Sequence, residues 1–297
     1  MKWVIDKNNA GLTIREYLQA VHGFSRRIII AIKQEGKLLV NDRERTVRYV
    51  LSDGDVLEVH FPAEKVSRNL QPEDIDLNIA YEDEAVIVID KPAGIAAMPS
   101  LNHRSGTMAN GLIGYYRRIH RESFTVHVVT RLDRDTSGLV LVAKDRYNHS
   151  LLSKAQQLNK IKRTYIALVE GHLEKEEGTI DAPIARKTDS IIERTIHENG
   201  KRAVTHYKKQ SEVGESTMVE IELETGRTHQ IRVHFSHYGH PLVGDDLYGG
   251  SLQSINRQAL HCYELMFEHP ITKESITIQS ELPKDMQKLL EQQGDQK

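Results

Sequence analysis

A chain of 297 residues, 39% hydrophobic and 28% charged, can bury one large core, or a medium core with a small appended module. Its single cysteine, Cys262, excludes an internal disulfide framework and a cysteine-rich zinc site; no apolar run reaches bilayer length, and MKWVIDKNNAG lacks a signal-peptide core, so a cytoplasmic location away from membranes is expected. The net charge of −2 announces no polyanionic partner, yet residues 11–48 carry eight Lys/Arg against four Asp/Glu, a local excess of four positives that permits nucleic-acid contact.

The first sixty residues read as a unit. Thr13 and Glu16 have capping-box spacing, which opens a short helix through Val21. Ser25 can cap a second helix, RRIIIAIKQE, ended by Gly36. KLLVN reads as a strand, Asp53-Gly54 as a turn, and the alternating VLEVHF as another strand. This order, with Arg26, Arg27 and Lys33 on the second helix, resembles the small S-four-type RNA-binding domain named after a ribosomal protein. The resemblance implies an RNA-binding module over residues 1–64. Its competitor is a packing module with solvated basic side chains.

Pro62 to Pro72 is polar and proline-bounded, so it reads as a linker, with a second domain expected over 73–297. Ala85 to Ile89 is a candidate buried strand left through the turn Lys91-Pro92-Ala93-Gly94. Ser137-Gly138 reads as a turn feeding the buried strand Leu139 to Val142. Asn148 is placed as the N-cap of HSLLSKAQQL, with Leu151, Leu152, Ala155 and Leu158 on one face. KRTYIALVEG is apolar on both faces and therefore central, and TMVEIELE alternates. The turn TGR then leads into a helix, HQIRVHFSHYG, closed at Gly239. Strands and helices mix without a βαβ rhythm, which favours an α+β fold over a doubly wound sheet.

The segment TRLDRDTSG, just ahead of an apolar run, carries the chemistry. Alternating arginines and aspartates in a loop are most often a local lattice of ion pairs. The sharper reading is an active-site carboxylate kept anionic by a nearby guanidinium, available as nucleophile or base. Spacing alone does not separate the two.

Four segments do. YEDEAVIVIDKPAG, TRLDRDTSGLVLVAKD, KRTYIALVEG and ETGRTHQIRVHFSHYGHPLVGD, with GKRAVTHY and ALHCYEL as weaker matches, resemble in sequence and order the RluA-type pseudouridine synthases, which isomerise uridine in structured RNA. The resemblance covers about the last three-quarters of the chain. It implies a catalytic domain on a mixed, largely antiparallel sheet, with the active-site cleft across it. It further implies that Asp133 is the catalytic carboxylate, flanked by Arg131 and Arg134 as RNA contacts, while Asp135 serves the loop's own structure. Tyr165 matches the tyrosine that packs on the target base, although an aromatic in such a strand is otherwise ordinary core. Arg227 matches the basic residue that pairs with the aspartate, which would account for a cation at the start of a helix. Leu260 matches an apolar side chain lining the base pocket. The chain departs from many relatives in having Thr130 before RLD and Ala97-Met98-Pro99 after KPAG, positions that bear on loop packing and RNA contact.

Pseudouridine formation breaks the N1-glycosidic bond, rotates the uracil and rejoins it through C5. No atoms or electrons are exchanged, so no nicotinamide, metal or other cofactor is expected. One ionised carboxylate begins the reaction, by attack or by taking a ribose proton. His229, His234, His237 and His240 invite a zinc reading, but their spacing gives no tight H-x-x-x-H pair and no acidic ligand lies among them. The expected partner is RNA, ribosomal RNA before transfer RNA, bound by a monomer. The alternatives are an RNA-binding or ribosome-assembly factor without chemistry and, more weakly, a metal-dependent hydrolase.

Overall fold

In the computed structural model, residues 1–62, 70–100, 104–120 and 125–294 are described, with side chains to residue 291. The first unit comprises β1 (Lys2–Val4), α1 (Ile14–Ala20), α2 (Arg26–Glu35), β2 (Lys37–Val40), β3 (Arg43–Glu44) and β4 (Val56–His60). Short-range signals set its boundaries. Thr13 and Glu16 close the capping box on α1, and the Ser25 hydroxyl accepts the Ile28 N–H to start α2. Asn41 and Asp42, both at positive φ, make the two-residue turn joining β2 to β3. The four strands order as β1-β4-β2-β3, and Ile14, Leu18, Ile28, Ile32 and Leu57 fill the space between helices and sheet. The proposed linker falls largely on residues 63–69, outside the described residues.

The remainder comprises β5 (Ile79–Glu82), β6 (Val86–Lys91), α3 (Met108–Arg118), β7 (His127–Val128), β8 (Ser137–Ala143), α4 (Arg146–Gln157), β9 (Lys162–Glu170), β10 (Glu177–Asp181), β11 (Ile184–Arg186), β12 (Arg194–Ile196), β13 (Val204–Val213), β14 (Ser216–Leu223), α5 (Gln230–His237), β15 (Leu260–Glu268), β16 (Ser275–Gln279) and α6 (Lys284–Gly294). One large sheet runs β10-β13-β14-β9-β15-β8-β6-β5, with β16 on β15 and β7 on β8; β11 and β12 form a separate ribbon. All pairings described in the large sheet are antiparallel except β15 with β8. The fold is therefore α+β on a mixed, largely antiparallel sheet, as the sequence implied.

The parallel seam places the site. It pairs His261 with Ser137 and Cys262 with Gly138, so β15 and β8 enter the sheet side by side at one end. Gly138 has φ 111°, and a Cβ there would lie 2.2 Å from the Cys262 carbonyl oxygen, so only glycine admits this approach. Ser137-Gly138 is thus the first turn-free part of β8, not the turn that feeds it. The turn lies one step earlier, where Thr136 N–H donates to the Asp133 carbonyl at 3.2 Å.

Helix α4 begins earlier than expected. Asp145, not Asn148, is its N-cap: the carboxylate accepts the Tyr147 and Asn148 N–H groups, and Asn148 donates its side-chain amide back to it. A carboxylate with a negative charge at a helix N-terminus outcompetes the neutral amide three residues on. Tyr147, placed on the first turn, packs against the N-terminal unit and not in the core of the large sheet. It is buried in the core of the N-terminal unit, with its ring 4.4 Å from that of Phe24 and its hydroxyl donating to the His22 carbonyl at 3.0 Å. The two units are in direct contact through α4.

Candidate active site

Asp133 sits in the loop before β8, and that loop is pinned from both sides, by a buried lysine and a half-buried arginine. The fully buried Lys91 donates its three ammonium hydrogens to the carbonyls of Pro92, Ile95 and Arg134 at 2.8, 2.8 and 2.9 Å. Burial pulls its pKa down to about 8 against the opposing charges of Asp135 and Asp133. On the other side Arg257 donates to the carbonyls of Asp135, Gln258 and Leu260 and pairs with Asp285. Thr130 is buried, and its hydroxyl accepts the Leu141 N–H at 2.9 Å, consistent with a loop-packing role. Arg134 forks onto Asp135 at 2.9–3.0 Å, so the second aspartate of RLDRD does serve its own loop.

The guanidinium beside Asp133 comes from elsewhere. Arg232 Nη1 donates to Asp133 Oδ2 at 3.3 Å, while its Nε and Nη2 clamp Asp245 at 2.6 and 2.7 Å. Asp245 and Arg232 are both buried. Burial opposes the charge on Arg232, but the hydrogen bonds and charge of Asp245 outweigh it, with help from Asp133, and hold the guanidinium above its ordinary value. The expectation that Arg227 pairs with Asp133 is therefore corrected. Arg227 precedes α5, where its N–H binds the Gln230 amide oxygen and its Nε donates to the Arg202 carbonyl at 3.0 Å. From that turn it forms a wall of the cavity. Arg232, within the helix, lies on the face turned toward the Asp133 loop.

Around Asp133 opens a cavity of about 560 Å³, within the range of small-ligand sites. Six of the expected residues line it: Arg131, Asp133, Arg134, Tyr165, Arg227 and Leu260. Tyr165 lies on β9 opposite Cys262, and Leu260 is the first residue of β15, so the parallel seam gathers all three segments. Arg163 Nη1 donates to the Tyr165 hydroxyl at 3.0 Å, and burial holds that phenol well above its usual range, hence neutral. Arg26, Arg27 and Lys33 are exposed on α2 and do not line the cavity.

His234, in α5, and His240, just beyond it, have structural partners. His234 is buried between the Thr205 hydroxyl and the Ala182 carbonyl, and His240 Nδ1 meets the Glu170 carbonyl. Among the described residues no group of three His, Cys, Asp or Glu side chains is arranged to hold a metal ion. Reading the sequence missed Arg232 and Asp245. The signal was an arginine between Ile231 and Val233 on a helix face that must be buried, since a buried cation requires a partner.

Comparison with known proteins gives the family. A family model described as RNA pseudouridylate synthase matches residues 85–237. A Bacillus subtilis (strain 168) protein called uncharacterized RNA pseudouridine synthase YjbO is 50% identical over 280 residues, 94% of this chain and 98% of its own length. The ribosomal large subunit pseudouridine synthase D of Escherichia coli O157:H7 is 37% identical over 270 residues, covering 86% of this chain and 80% of its own. The structure of human RNA pseudouridylate synthase domain containing 4 shares the fold, with a TM-score of 0.60 at 22% identity over 72% of this chain and 92% of that one. The chain belongs to the RNA pseudouridylate synthase family and is an isomerase acting on RNA.

Proposed function

We propose that the chain converts uridine to pseudouridine in ribosomal RNA, with Asp133 acting on the ribose of a flipped-out uridine. The observation that carries the assignment is the one carboxylate lining the cavity among the described residues, whose Oδ2 is held by Arg232 at 3.3 Å, next to a neutral tyrosine and an apolar wall. Attack at C1′ and removal of a ribose proton both need the carboxylate as an anion, and the guanidinium fixes one of its oxygens and leaves the other free. The freed uracil must turn and present C5 to C1′ without escaping. Tyr165 and Leu260 offer it flat and apolar surfaces, and Arg163 keeps the tyrosine hydroxyl in place.

A base inside a helix or stacked loop does not reach Asp133. Flipping it out costs a few kcal/mol, offset by stacking and phosphate contacts. Arg131, Arg134 and Arg227 at the cavity rim supply cations for the flanking phosphates. Residues 1–64 act as an S-four-type RNA-binding module, and Arg26, Arg27 and Lys33 on the exposed face of α2 extend the contact away from the reacting base. The ribosomal target is supported by the names of relatives such as pseudouridine synthase D and by the character of this module. Pseudouridine mapping of total RNA from cells with and without the gene tests it. Loss of a site in ribosomal RNA is expected; loss confined to transfer RNA would replace this target with the other.

A further inference from the structure

Asp133 Oδ2 has a second polar neighbour, His229 Nε2, at 3.8 Å. The other ring nitrogen of His229, Nδ1, lies 2.8 Å from the Tyr248 hydroxyl. That hydroxyl already accepts the backbone N–H of Arg194 at 2.9 Å. A half-buried phenol that accepts one bond is best satisfied by donating its own proton, and His229 Nδ1 is the acceptor in reach. Donation to Nδ1 leaves the ring proton on Nε2, which is the nitrogen facing Asp133.

The histidine is held there by more than one contact. Its backbone is left-handed, with φ 58°, uncommon for a residue with a Cβ and a form of strain that clusters at working sites. Its ring meets that of Tyr248 edge-on at 5.7 Å, and the Tyr248 face carries the Arg232 guanidinium at 5.0 Å. Burial and the charges of Arg232 and Arg194 disfavour an imidazolium, while Asp133 and Asp245 favour it; the net direction is downward, so the neutral ring prevails.

We propose that Tyr248 and His229 are a positioning pair for Asp133. Tyr248 fixes the imidazole with its proton on Nε2, and that N–H, alongside Arg232 Nη1, occupies Oδ2, so that Oδ1 is the oxygen presented to the ribose. The inference rests on the reading of Asp133 as the reacting carboxylate. A separation of 3.8 Å is longer than a hydrogen bond, and contacts of this kind tighten as the reaction proceeds.

The test uses the full chain with ¹⁵N-labelled histidine. In the wild type the His229 signals, assigned through their loss in His229→Gln, should show an unprotonated Nδ1 and a protonated Nε2. Tyr248→Phe should shift them toward a mixture of tautomers and lower kcat about tenfold, the scale of one lost hydrogen bond, with KM held within about twofold. His229→Gln, whose amide can bring an N–H near the Nε2 position, should retain about tenfold more kcat than His229→Ala, which shares its backbone strain. A wild-type ring protonated on Nδ1 would overturn the pair, as would an unaltered kcat in Tyr248→Phe or equal rates for the Gln and Ala variants. The wild-type spectrum and the Gln–Ala comparison decide the matter even if Tyr248→Phe folds poorly. Asp133→Asn is measured in parallel: turnover there removes the underlying reading, whereas an inactive Asp133→Asn beside a fully active Tyr248→Phe removes only this inference.

Discussion

The N-terminal unit and the cavity around Asp133 are assembled in opposite ways. In the first, each boundary is set by near neighbours: Thr13 with Glu16, Ser25 with Ile28, Asn41 with Asp42. Its cations Arg26, Arg27 and Lys33 are exposed on α2. In the second, Asp133 meets a guanidinium 99 residues away, and that guanidinium depends on Asp245 in turn. Solvated charges can be removed one at a time with small, graded effects. Buried charges in series cannot, because each removal strands the next.

The largest effect should therefore come from Arg232. Arg232→Ala strips Asp133 of its partner and leaves Asp245 buried and unpaired, so kcat should fall about 100- to 1000-fold, with stability down by about 3–5 kcal/mol. Arg227→Ala, which touches neither carboxylate, should keep kcat within about tenfold and act mainly on KM. Rapid-quench kinetics on the two purified variants would reverse the assignment if Arg227→Ala proved the more damaging.

Tyr147, which joins α4 to the N-terminal core and does not line the cavity, sharpens the contrast. Tyr147→Ala removes an aromatic ring from the N-terminal core, an excision that typically costs about 3–5 kcal/mol. Hydrogen exchange should show faster opening across residues 2–60 with β6 and β8 unaffected. Uniform protection across both units would mean that the packing of α4 on the N-terminal core is incidental. The same packing implies that cutting away the N-terminal unit exposes Tyr147, so in-chain substitutions read the module more cleanly than truncation does.

A graded effect is expected on α2. Replacing Arg26, Arg27 and Lys33 together by glutamine should weaken RNA binding and flatten the log-affinity against log-salt slope by roughly 0.7–0.9 for each phosphate no longer neutralised. The rate at saturating RNA should be unchanged. An unaltered salt slope in filter-binding titrations would make the unit a packing module after all.

The smallest effect is on stability at mildly acid pH. His22, His229, His234 and His261 are all held below the ordinary imidazole value of 6.5, burial being the first cause in each. The unfolded chain takes up protons as pH falls through that value and the folded chain resists them. Their contribution is complete above about pH 6.5 and is lost below it. The Tm should fall between about pH 7.5 and about pH 5.5; a rise over that window would contradict the burial of these rings.

The contrast also explains what the sequence made legible. Caps, turns and the alternation of Val56–His60 act over a few residues, and α1, α2, β2 and β4 came out in order, whereas the short strands β1 and β3, each carried by pairing with a neighbour, did not. The cavity residues Asp133, Tyr165 and Leu260 were reachable through motif resemblance. What was not legible is long-range: the parallel seam at Gly138, the reach of Tyr147 into a neighbouring core, and the choice of Arg232 over Arg227. Both arginines lie in one motif, and which faces Asp133 depends on where α5 begins. Helix α3 was missed because its capping box uses Asn110 in place of an acidic residue or glutamine.

Asp133 is the centre of the proposed chemistry, and one variant tests that role most directly. Asp133→Asn preserves shape but cannot act as an anionic nucleophile or base. Single-turnover pseudouridine formation and RNA affinity, measured on the same preparation, should show no product over the time in which the wild type completes its turnover, with Kd within about twofold. Product formed by the asparagine variant at a rate near that of the wild type would place the chemistry on another residue.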